Sequence, residues 1–199
     1  MREGNSKMSG RITLSILVVL LAGCVSNPAR EEVKAEAKPA VVVTPEVRAD
    51  FDAAMALMKA EEYQKGIELM TKVAGKSQNN PVPFINLGIA YAKLGNHKAA
   101  EDNLKLALSL EPDNPVANNE YGLLYRKTGR FNEARQLYEG LLAKYPYYPL
   151  VHKNLGILCD IYLRDYQCAL KEYEFYSGAK PDDKTAKIWI ADVQRRLGK

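Results

Sequence analysis

The sequence is poor in the residues that usually carry chemistry. Its 199 residues include two histidines, His97 and His152, three cysteines and a single tryptophan. No Gly-rich phosphate loop, His-Glu-x-x-His pair or Gly-x-Ser-x-Gly elbow is present. These absences argue against nucleotide hydrolysis, zinc-dependent hydrolysis and serine-nucleophile chemistry, so neither an enzyme nor a cofactor is expected. A strong charge of one sign is also missing. The net charge is +4, and it falls to +2 once Arg2, Glu3, Lys7 and Arg11 are set aside. That is too weak for a nucleic-acid partner. Long apolar runs are lacking too. Ile12 to Ala22 has 11 residues, whereas a membrane-crossing helix takes about 20.

That short run has another reading. Arg2, Lys7 and Arg11 form a basic region before it, and Leu21-Ala22-Gly23-Cys24 follows. Basic, apolar and small-residue regions in this order read as a signal peptide over residues 1–23, with Met1 and Met8 both acceptable starts. Leu21-Ala22-Gly23-Cys24 resembles the bacterial lipobox. The resemblance implies that Cys24 becomes the lipidated N-terminus. The alternative is an ordinary signal peptide with an incidental cysteine. Val25 is not the aspartate associated with inner-membrane retention, so the resemblance implies the periplasmic face of the outer membrane. Several acyl chains anchor stably where one is marginal. Residues 24–46 hold three prolines and alternating charges without an aromatic residue, which reads as a flexible tether. A chain of that length has a root-mean-square reach of roughly 25 Å.

From about residue 47 the chain repeats. The 34-residue stretches that begin at Pro81 and Pro115 superimpose Gly88 on Gly122, Tyr91 on Tyr125, Gly95 on Gly129, Ala100 on Ala134 and Pro112 on Pro146. A further copy starts at Pro149 and gains one residue before Arg164. A weaker copy covers residues 47–80. Apolar positions at i, i+3, i+4 and i+7, as in Phe84, Leu87, Gly88 and Tyr91, predict two amphipathic helices per copy. Gly88, Gly122 and Gly156 fall inside helices, where glycine costs about 1 kcal/mol relative to alanine. Close approach of the paired helix at Ala100, Ala134 and Ala169 is the expected compensation.

This pattern resembles the tetratricopeptide repeat (TPR) family. The resemblance implies an all-α helix-turn-helix solenoid with repeats at 47–80, 81–114, 115–148 and 149–183, then a capping helix at 184–199. The first copy departs from the pattern, with Gly66 where alanine is usual. In the fourth, the insertion predicts a bulged first helix or a longer turn. Ile188, Trp189 and Val193 are expected to cover the end of the stack, with Arg195 and Arg196 facing water. Such an end needs a cap because each repeat buries its apolar face only against neighbours.

The fold also frames the remaining candidates. Cys159 and Cys168 flank the turn of the fourth copy, and an oxidising compartment permits a disulfide. Two separate buried thiols are the alternative. His97 is expected to pack at a helix start and His152 at an apolar position, so a metal site from His152, Cys159 and Cys168 is not expected. In the TPR family the first helices line a concave groove that binds peptides or partner helices. The matching positions here are Asn86, Ile89, Lys93, Asn119, Leu123, Arg126, Lys127, Lys153, Asn154 and Ile157. Amides, aliphatics and bases in that mixture suit a protein or peptide partner. The family's carboxylate clamp is absent, since Phe51 and Met55 replace its polar residues and Asn86 alone matches. Tyr147 or Tyr148 is a candidate interface anchor. The whole chain is similar to pilotin-type TPR lipoproteins of pilus systems, which implies a role in secretin assembly. An adaptor for peptidoglycan enzymes or other envelope partners is the alternative.

Overall fold

The computed structural model describes residues 44–198, so Cys24, the leader and most of the tether lie outside the described residues. Four helix pairs follow in order. They are α1 (Pro45–Lys59) with α2 (Tyr63–Lys76), α3 (Pro81–Lys93) with α4 (His97–Leu110), and α5 (Pro115–Lys127) with α6 (Phe131–Lys144). In the fourth, α7 (Pro149–Ile157) runs into a π-helical turn at Leu158–Leu163 and pairs with α8 (Tyr166–Ala179). The last helix is α9 (Lys184–Arg196). Among the described residues there is no strand.

Local sequence explains the helix starts. The first helix of each pair opens on a proline, whose missing N–H is not needed there. The side chains of Thr44, Asn80 and Asn114 accept hydrogen bonds from the backbone N–H groups of Val47, Val82 and Ala117. Between paired helices the chain turns through the left-handed region at Gly95 and Gly129, both with φ 78°. Glu61 and Arg164 hold the same place in the outer copies, with φ 61° and 54°. A side chain there costs roughly 1–2 kcal/mol.

The helix glycines meet a larger partner than expected. A Cβ built at Gly88, Gly122 or Gly156 lies 2.7, 2.5 or 2.6 Å from the side chain of Leu104, Tyr138 or Tyr173. These bulky residues sit one turn beyond the buried Ala100, Ala134 and Ala169. The first copy keeps this close approach with the roles exchanged. Ala54 stands on α1 and Gly66 on α2, where a Cβ lies 2.8 Å from Met58 Cγ. Tyr91 and Tyr125 then link successive pairs, since each packs against the core clusters on both sides of it.

The extra residue of the fourth copy is absorbed by the π turn, whose i→i+5 bonding holds one more residue per turn. The Asp165 N–H closes it by donating to the Cys159 carbonyl at 2.9 Å. At the end of the stack, Ala186 and Val193 are fully buried, and the Trp189 ring lies 5.2 Å from Tyr173. One expectation is corrected here and one is extended. Ile188 is 67% exposed, because the stripe of Ala186, Ile190, Val193 and Leu197 turns it away from α8. Arg196 is exposed, as expected, and also has a partner. It pairs with the buried Asp160 of the π turn at 2.8 Å, and that carboxylate also accepts from the Tyr173 hydroxyl at 3.3 Å.

Candidate protein-binding groove

The open face of the first helices holds the residues singled out from the sequence, but not all of them are free. Ile89, Leu123 and Ile157, one period apart, are half-buried. Asn86 is half-buried, and its amide donates to the Val82 carbonyl at 2.9 Å. Asn119 and Asn154, expected to bond a ligand backbone, are buried and bond each other instead. The Asn154 amide donates to Asn119 Oδ1 at 2.8 Å, and the Asn119 amide donates to Glu120 Oε1 at 3.1 Å. The neighbouring first helices α5 and α7 bring these side chains together.

Glu120, which the sequence reading missed, ends this chain of amides. The signal for it was available, because it occupies the place of Asn86 and Asn154 in the alignment. Burial pushes its carboxyl group up from the usual carboxylate range; Asn119, then Lys93 and Lys127, oppose the shift. Lys93 and Lys127 are exposed, and Lys127 Nζ reaches the Ala92 carbonyl at 3.4 Å. Arg126 is half-buried beside them. Its Nη1 has no hydrogen-bond partner among the described residues, and its guanidinium lies 6.0 Å from the centre of the Tyr162 ring. Lys153 is half-buried and has partners on α8 and α9. Its Nζ lies 3.7 Å from Asp183 and stands over the rings of Tyr176 and Trp189 at 5.1 and 5.3 Å.

Lys59 is a second residue missed. It precedes Lys93 and Lys127 by whole periods, in the copy whose pattern is weakest. It lines a cleft of about 510 Å³ with Met55, Met58, Tyr63, Ile89 and Lys93.

The remaining candidates lie elsewhere. Cys159 and Cys168 form a disulfide with Cα atoms 5.9 Å apart. Asp165 stands close to both sulfurs. Its carboxylate accepts from the Cys168 N–H at 3.1 Å and pairs with Arg135 at 3.1 Å. His152 does not sit in an apolar setting as expected. Its Nδ1 lies 2.5 Å from Glu172 Oε2, its Nε2 lies 3.0 Å from the Pro146 carbonyl, and its ring stacks on Phe175 at 3.6 Å. A carbonyl only accepts, so Nε2 is the ring nitrogen placed to donate to Pro146. His97 starts α4 as expected but is exposed rather than packed. Phe131, its counterpart, is covered by the Tyr162 ring at 4.8 Å, and no such ring reaches His97. Tyr147 is 83% exposed, whereas Tyr148 is half-buried. No described helix is long and apolar enough to cross a membrane.

Residues 85–149 match the family model described as tetratricopeptide repeat. The chain folds as a TPR solenoid. Solved structures agree at low identity. The chain is 16% identical to MamA 41-end from Desulfovibrio magneticus RS-1, with 79% of this chain and 88% of that one covered and a TM-score of 0.67. It is 16% identical to pilF of Pseudomonas aeruginosa, with 76% and 68% covered and a TM-score of 0.69. It is 21% identical to a chain of the Cut9–Hcn1 hetero-tetramer, with 76% and 30% covered and a TM-score of 0.66. No curated protein matches the sequence. The TPR fold is an interaction scaffold, and the open face described above presents exposed lysines beside half-buried aliphatic side chains.

Proposed function

We propose that this chain is a non-enzymatic protein-binding scaffold, held by lipid on Cys24 at the periplasmic face of the outer membrane, that acts as an assembly factor or adaptor. The observation that carries the binding role is the open face of the first helices, where exposed Lys59, Lys93 and Lys127 border the half-buried aliphatics Ile89, Leu123 and Ile157. Apolar and cationic groups gathered on one accessible face suit a peptide or a partner segment. The likeness to pilF supports pilus assembly as the specific role, and the Leu21-Ala22-Gly23-Cys24 stretch supports the anchor. Docking of peptidoglycan enzymes is the alternative, and the same surface serves it.

Two experiments in cells test the two halves. A photo-crosslinking residue at Leu123 is expected to capture a discrete protein partner, identified by mass spectrometry, while the same residue at the exposed Gln136 of α6 captures none. Equal capture at both positions moves the site off the groove. Cys24→Ser is expected to shift the protein from the membrane to the soluble periplasmic fraction. Membrane retention of that variant through a covalent acyl group overturns the anchor.

A further inference from the structure

The lysines that end the helices fall into two sets. In the second helices, Lys76 of α2 pairs with Glu46 at 2.7 Å, and Lys144 of α6 pairs with Asp113. In the first helices, Lys59, Lys93 and Lys127 are the last residues of α1, α3 and α5. All three are exposed, and among the described residues none is in an ion pair. A cation at a helix C-terminus is favourable by itself, because it meets the negative end of the helix dipole. That accounts for a base at each position, but not for the difference between the sets. The second-helix lysines are in contact with carboxylates, whereas the first-helix row has no such contact, only the longer-range attraction of Lys93 and Lys127 to the half-buried Glu120. The row follows the 34-residue period, so it crosses the stack at one lysine per repeat. Arg126, with an unpartnered Nη1, stands next to its last member.

The row also borders an apolar opening. The cleft of about 510 Å³ lies between Lys59 and Lys93, and Met55, Met58 and Ile89 give it an apolar lining. Packed helices are spaced by about 10 Å, and an extended chain in the polyproline II form rises about 3.1 Å per residue with every third side chain on one side. An extended segment laid across the first helices therefore meets a new lysine about every third residue. We propose that the row of Lys59, Lys93 and Lys127 docks an extended acidic segment of a partner protein, with carboxylates about three residues apart and an apolar side chain seated between Lys59 and Lys93. This rests on the reading of the open face as the partner site.

The test uses the lipid-free protein from Cys24→Ser and a fluorescein-labelled peptide of four Glu-Leu-Ser units, followed by anisotropy. A peptide of Lys-Leu-Ser units is the control. The Glu peptide is expected to bind and the Lys peptide to bind at least tenfold more weakly. Lys59→Glu, Lys93→Glu and Lys127→Glu together are expected to weaken the Glu peptide about tenfold or more, with unchanged circular dichroism because all three side chains are exposed. The triple Lys→Gln variant gives a smaller loss in the same direction. On the unaltered protein, raising the salt from 50 to 200 mM is expected to weaken binding severalfold. Equal binding of the two peptides, or salt-independent binding, overturns the proposal. So does binding to phosphatidylglycerol vesicles, lost in the triple variant, without any binding of the Glu peptide. If Leu123 still crosslinks a partner in cells while the Glu peptide fails, the groove reading stands and only the acidic partner is lost.

Discussion

Gly122 and Gly140 lie in the two helices of one repeat, yet a methyl group added at each has opposite consequences. At Gly122 it meets the Tyr138 ring at 2.5 Å, and a fully buried ring has no room to move away. At Gly140 no atom lies within 4 Å. Gly122→Ala is therefore expected to lower stability by about 1–3 kcal/mol through overpacking. Gly140→Ala is expected to raise it by about 0.5–1 kcal/mol through helix propensity. Urea denaturation of both variants at neutral pH checks this, and shifts of the same sign defeat it. The period alone marked Gly122 as special, since the glycine recurs at Gly88 and Gly156. It did not reveal the tyrosine as the cause. His152 was harder still. Aligned under Phe84, it shows only that a large side chain fits there, while its partner Glu172 lies on the next helix with no local signal to join them.

Helices were the most legible level. Proline openings, asparagine caps and turn glycines are local, and each falls where the repeat requires it. The π turn was only half legible. One extra residue is visible by counting, but a longer loop and a wider helical turn hold it equally well. The structure keeps the residue helical because Leu158 and Cys159 are then fully buried and Asp160 meets Arg196. In the groove, aliphatic and lysine positions were readable from the period. The amides were not. Whether Asn119 and Asn154 face a ligand or each other depends on the distance between two first helices, which no single helix encodes. The same limit hid the aromatic partners of Lys153, which come from α8 and α9.

At the scale of the whole molecule, each pair contacts only its neighbours, so damage at one end should stay near that end. A chain that stops at Asp182 lacks α9. It removes Ala186 and Val193 from the core and the Trp189 ring from Tyr173. It also takes Arg196 from Asp160, which is 6% exposed and keeps only the Tyr173 hydroxyl. Losing Arg196 leaves the buried Asp160 carboxylate without its cation, which is destabilising, and the lost apolar burial adds to that. Hydrogen exchange read by mass spectrometry is then expected to speed up most in α7, the π turn and α8. Protection in α1 to α4 should change far less, since their cores are built from Val47, Met70, Leu87 and Leu104. Equal loss of protection from α1 to α8 would show one cooperative unit instead. A graded loss leaves Lys59 and Lys93 on protected helices and Lys127 on α5, outside the helices expected to exchange fastest. The shortened chain would then keep its Glu-peptide affinity while its far end frays, which separates the docking surface from the cap that stabilises the stack.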